Sequence, residues 1–277
     1  GTFVSDFDKS QIKNKLKSYA IAGINSEIVD LKILYVELNS TIYYNPAQIA
    51  SAANLRTEII NSLDQYSKNV EINKFGGRFK YSKINTLIDR VDNGITSNIT
   101  KVIVRRDMKA LLNQFAQYEL CFGNRFYVNP AGYNIKSTGF TITGFSNVAY
   151  ITDIPNKDAS GNLDGSMLGT LSVVTKNDRG QQVVLVKDAG VVDYKKGEVI
   201  LNTINITSTT AQNNIVEVQA FPESNDVVGL KDLYLSFDVS NTVINMNKDV
   251  IASGEDVSGI VFTRDYYTSS YSNGDLE

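Results

Sequence analysis

The chain has 277 residues, 42% of them apolar, with 27 Lys and Arg against 30 Asp and Glu, no histidine, no tryptophan and one cysteine. Without an imidazole, Ser-His-Asp triads, Cys-His dyads, histidine-bound zinc and two-His metalloprotease centres are excluded, which leaves carboxylate, lysine, tyrosine or hydroxyl chemistry, or none. A net charge of −3 is not the basic footprint of a nucleic-acid binder, and no apolar run approaches the ~20 residues of a membrane-spanning helix, so neither nucleic acid nor membrane is expected as a partner.

The length suggests about two domains. Gly1 to Ser10 has neither the charged nor the apolar region of a signal peptide, and a chain that opens on Gly1 rather than Met is expected to be a fragment. The first helix is expected over Asp8 to Tyr19, with Ile12, Leu16, Tyr19 and Ala20 on one face, Lys9, Lys13 and Lys17 on another, and Gly23 as its stop. Glu27 to Tyr44 reads as extended. Its apolar residues change face partway, from Leu31, Ile33 and Tyr35 to Leu34, Val36 and Leu38. That implies a bulge, a turn near Asn39-Ser40 or burial on both sides.

Asn45-Pro46 is a helix-start signal, and the helix should run to Val70 with Ile49, Ala53, Ile60, Leu63 and Val70 in one stripe. A second helix is expected from a Ser82 cap, with Ile84, Leu87, Ile88 and Val91 on one face and Asn93-Gly94 as its end. Phe75-Gly76-Gly77-Arg78 lies between them. It lacks a Walker or dinucleotide pattern and reads as a tight interhelical turn. Ile99 to Arg106 is a strand, in which Arg105 and Arg106 should point to opposite faces, one to solvent and one to a neighbour.

After Asn113 the style changes to short β-rich runs punctuated by Gly, Asn, Asp and Ser: Arg125 to Val128, Phe140 to Phe145, Leu171 to Thr175, Val183 to Val186, Val199 to Leu201, Ile215 to Ala220 and Leu233 to Val239. The expected fold is α+β. A small unit of helices on a sheet occupies residues 1–112, a mainly-β sandwich or partly open barrel residues 113–262, and a flexible tail residues 263–277.

Few stretches suggest chemistry. Asp188, Asp193 and Glu198 surround an expected hairpin over Gly190 to Leu201, where Asp and Gly serve the loop and Lys195 and Lys196 sit beside the acids. Asn156 to Gly169 reads as a polar, mobile excursion. It faintly echoes a calcium loop but has Met167 in place of the closing Glu. Cys121, between Leu120 and Phe122, reads as a small buried hydrophobe, because a catalytic thiol would need a base that the chain lacks. No catalytic residue, metal site, cofactor or enzymatic activity is expected.

Glu71 to Ile95, EINKFGGRFKYSKINTLIDRVDNGI, followed by a strand through Val102 to Arg105, resembles the baseplate J-like proteins of contractile phage tails. The hairpin Gly190 to Leu201 resembles the Val-Asp-Tyr-x-x-Gly-x-Ile-x-Leu pattern of wedge proteins from T-even-like phages, and Ile215 to Pro222 and Leu230 to Asp238 continue it. The resemblance covers most of residues 25–240 and suggests the C-terminal part of such a protein. It implies a structural role. Such subunits dimerise within wedges, join other wedge and hub proteins in a ring that rearranges on host attachment to release sheath contraction, and reside in the virion after assembly in the host cytoplasm. The residues expected at an interface are Arg105, Arg106, Phe115, Tyr118, Tyr266 and Tyr267, because aromatic and Arg side chains are enriched there. Phe115 and Tyr118 read equally as core. The alternative function is an adhesin or glycan-binding module carried by the β domain.

Overall fold

The computed structural model describes residues 6–19, 31–68, 72–177 and 179–250. It divides into two units, residues 1–32 and residues 33–277. In the first, α1 (Asp6–Lys17) forms as its periodicity predicts. Its apolar face stays open, with Ile12 46% and Tyr19 77% exposed.

The second unit is mainly β and is organised around β1 (Ile33–Tyr44). One face of that strand, Leu34, Val36, Leu38, Ser40, Ile42 and Tyr44, is buried throughout. The expected change of face is resolved by burial on both sides, since Glu37 on the other face is also buried, and by an irregularity at Tyr43/Tyr44. No turn interrupts Asn39-Ser40. β4 (Ile95–Lys109) pairs antiparallel to β1, and the two strands share a buried hydroxyl contact between Ser40 and Thr100 at 2.9 Å.

Between β1 and β4 lie α2 (Ala52–Ser67) and α3 (Tyr81–Asp89). The Asn45 signal makes a single turn, in which its Oδ1 accepts from Ala47 N. Asn45 N also donates to Gly94 O, and Ile49 packs onto Gly94, so the segment is held back along β4. Helix α2 starts later, where Ser51 Oγ accepts from Asn54 N. Its buried stripe is Leu55, Ile59, Leu63 and Ser67, a different phase from the one expected, and Ala53 is exposed. The Phe75 to Arg78 stretch joins two short strands, β2 (Lys74–Phe75) and β3 (Arg78–Phe79), instead of two helices. A Cβ at Gly77 would lie 2.2 Å from Ile72 O, and Gly77 O accepts from Gly229 N. Gly77 therefore serves a close backbone approach, while Gly76 supplies the left-handed turn at φ +63°.

The remaining strands are β5 (Phe115–Cys121), β6 (Lys136–Ser137), β7 (Phe140–Ile142), β8 (Phe145–Pro155), β9 (Leu168–Lys176), β10 (Gln182–Asp193), β11 (Glu198–Thr209), β12 (Ile215–Ala220), β13 (Val227–Val228), β14 (Tyr234–Phe237) and β15 (Val243–Lys248). Arg125 to Val128 is not a strand; Phe126 makes one isolated bridge to Pro222. A single sheet runs β2-β14-β1-β4-β12-β6-β8. There it meets a ring in which β8, β7, β11, β10 and β9 each pair with two others of the five, so the expected sandwich or open barrel is a closed barrel. β5 adds to β11, and β14 and β15 both lie parallel to β1. Ala149, Ile151, Leu171, Val173, Val192 and Val199 are among the buried residues of the ring.

The β10–β11 hairpin forms as predicted, with Asp193 opposite Glu198 and Gly190 opposite Leu201. Asp193 Oδ1 accepts from Lys196 N, and Lys196 Nζ lies 3.6 Å from Asp193 and 3.9 Å from Glu198. These acids are turn and ion-pair residues. The 156–169 segment is laced by its own bonds: Asp158 Oδ1 accepts from Ser160 N and Asn162 N, so that carboxylate is already used by the backbone.

Candidate interface residues and buried polar clusters

Arg105 leaves β4 on the face away from α2 and α3, beside Tyr35 of β1 and Gln219 of β12. It is only 4% exposed. Its Nε donates to Glu37 at 2.5 Å, Nη1 to Asp107 at 2.6 Å and to Glu217 at 3.0 Å, and Nη2 to Asp238 at 2.8 Å. The Tyr35 ring stacks 4.2 Å from the guanidinium carbon. One cation thus neutralises part of four carboxylates drawn from β1, β4, β12 and the end of β14. Burial, with the neighbouring carboxylates adding to it, holds Glu37 and Asp107 above the ordinary carboxylate range despite the Arg105 charge. Asp238 is also pushed up by burial, but the Ser240 hydroxyl and Arg105 outweigh this and leave it below its ordinary value.

Arg106, on the opposite face, is 8% exposed and donates from Nη1 to Cys121 O at 2.7 Å. Its Nε has no hydrogen-bond partner among the described residues, and burial lowers its pKa. The expectation that one of the two arginines faces solvent is therefore corrected: both are buried. The sequence shows the alternation of the strand but not that this strand is covered on both faces. Tyr118 is core, at 9% exposure, and its hydroxyl accepts from Leu111 N at 3.0 Å. Phe115 is 74% exposed. Three residues apart on β5, the two side chains take opposite faces. Tyr266 and Tyr267 lie outside the described residues.

A second buried polar cluster joins β8 to the turn after β10. Asp153 is fully buried; its Oδ1 accepts from Ile135 N and its Oδ2 from the Tyr194 hydroxyl, both at 2.6 Å. No cation balances it among the described residues. Burial raises its pKa more than these donors lower it, and burial together with the Asp153 charge raises that of Tyr194. Asp153, Tyr194, Glu37 and Asp238 were not expected to carry structure. The available signal was a lone acid inside an apolar strand, as in Val36-Glu37-Leu38 and Thr152-Asp153-Ile154. Among the described residues, no three Cys, Asp or Glu side chains are placed to hold a metal ion.

The segment from β1 through α2 and α3 into β4 matches a family model. Residues 32–107 match the family model of baseplate structural protein gp6, C-terminal domain III. Baseplate wedge protein gp6 of Enterobacteria phage T4 is 26% identical over 111 residues, which is 39% of this chain and 16% of that protein. The chain thus aligns with about a sixth of the length of this relative. The matched segment holds Glu37, Arg105 and Asp107 of the ion cluster, while Glu217 and Asp238 come from beyond it.

Proposed function

We propose that this chain is part of a wedge subunit of a phage tail baseplate, related to the baseplate J-like proteins and of T-even type. It acts through protein–protein contacts and not through catalysis. The match over residues 32–107 is the observation that supports this most. In this reading the subunit dimerises, the dimers join other wedge and hub proteins in a ring, and the ring changes shape on host attachment to release sheath contraction. The architecture suits such a mechanical role. A buried ion cluster and a closed barrel keep each subunit stiff, so rearrangement falls at interfaces between rigid bodies.

Of the six residues expected at an interface, Phe115 is the one within the described residues whose side chain is open. In this reading the dimer contact forms around it. Light scattering coupled to size exclusion over a concentration series should give a dimer of the 30.6 kDa chain. Phe115→Asp should shift this to monomer with an unchanged melting temperature, since an exposed side chain leaves the core untouched. A monomer at every concentration, together with absence of the full-length protein from purified tails, would defeat the proposal.

A further inference from the structure

Between α2 and α3 the matched segment leaves a groove of about 460 Å³. Tyr66, Leu87 and Val91 supply its apolar lining and are half-buried against the core. Lys83 and Arg90 supply its charge and are exposed. Among the described residues, Arg90 makes no ion pair or side-chain hydrogen bond. Asp89 accepts from Asn98 Nδ2 at 2.5 Å, and Asp92 from Gly94 N at 2.7 Å. Residues 74–91 carry Lys74, Arg78, Lys80, Lys83 and Arg90 against Asp89 alone, in a chain whose net charge is −3. All five cationic side chains are exposed. Of these cations, Lys83 and Arg90 line the slot itself.

We infer that this groove docks an acidic segment of another polypeptide, with one apolar side chain on Leu87 and Val91 and a flanking carboxylate on Arg90, beside the positive charge of Lys83. The proposal rests on the baseplate reading for the source of that segment, a neighbouring subunit. The chemistry favours a peptide over a nucleic acid. Leu87 and Val91 form an aliphatic spot that accepts a Leu or Phe, and Tyr66, the one aromatic side chain of the lining, is half-buried, whereas single-stranded nucleic acid is held by exposed aromatic platforms. Opposite charge across such a contact speeds encounter and fixes register, and the buried apolar anchor supplies holding energy.

The test is fluorescence anisotropy of the whole chain with short labelled peptides that share a central Leu-Phe and carry none, a few or many flanking Glu and Asp residues. A Lys-flanked peptide and an oligothymidylate serve as controls. Affinity should climb with the number of carboxylates, and it should weaken by about tenfold as salt rises from roughly 0.05 to roughly 0.5 M. Combined Lys83→Glu and Arg90→Glu should abolish binding, while Lys187→Glu with Lys195→Glu, an equal charge change on β10 and its hairpin turn, should preserve it. Binding that ignores peptide charge, or that survives the groove variant, overturns the proposal. So does no binding by any acidic peptide, and so does preference for the oligothymidylate. Any of these leaves the baseplate reading standing, because that reading is judged by self-association and by presence in tails.

Discussion

Arg105 is surrounded so completely that its loss leaves several charges stranded at once. Arg105→Met should lower unfolding stability by about 3–5 kcal/mol, because removing one partner of a buried ion pair leaves uncompensated charge in low dielectric. Urea denaturation followed by circular dichroism would measure it; a change below about 1 kcal/mol would mean that water already screens the cluster. Asp153 gives a pH signature of definite sign. Its folded pKa lies above the ordinary 3.8, so its contribution is fully present below that value and is lost as pH rises through the folded value. Part of the melting temperature should therefore be lost as pH rises above about 3.8, by a margin that Asp153→Asn reduces. An equal margin in the variant would assign the effect elsewhere. The sequence singles out Arg105 as notable but cannot show its partners, since Glu37, Glu217 and Asp238 are joined to it only by the paths of other strands.

At the level of elements, type is legible and boundaries are less so. The β10–β11 hairpin follows from local turn chemistry and forms where expected, because Asp193, Gly197 and the flanking β-branched residues settle it within a few positions. Helix α3 also forms, but its cap is not Ser82. Lys80 occupies the cap position without a side-chain bond, and the first turn is capped at Tyr81 N by Asp226 Oδ1 at 2.8 Å, from a loop remote in sequence. A remote cap has no sequence signature at the helix it serves. Asp226→Ala should cost about 1 kcal/mol, the usual penalty for losing a cap, and should speed amide exchange in the first turn of α3. Unchanged exchange there would show that solvent replaces the carboxylate without loss. The phase error in α2 has a different origin. Leu55 and Ile59 win the core because the chain is tied to Gly94 ahead of the helix, which rotates the stripe away from Ala53.

At the scale of the molecule, composition predicts the change of style near residue 113 but not that strands from both sides share a sheet. β12 pairs with β4, and β14 and β15 pair with β1, all across long separations for which a sequence offers no local sign. Barrel closure is equally hidden, since it depends on β8 meeting β9 after β7 and β8 have already paired. The parallel seating of β14 and β15 also bears on how the protein can be made. Their pairing partner β1 leaves the ribosome about two hundred residues ahead of them, so through most of synthesis one edge of that strand is unpaired. A nascent chain ending at Glu223 should accordingly be poorly soluble and a good client for chaperones, whereas one ending at Val250 should not. Centrifugation after cell-free translation distinguishes the two, and equal solubility would mean that something else shields β1. Translation speed across the codons for residues 224–250 thereby becomes a determinant of yield.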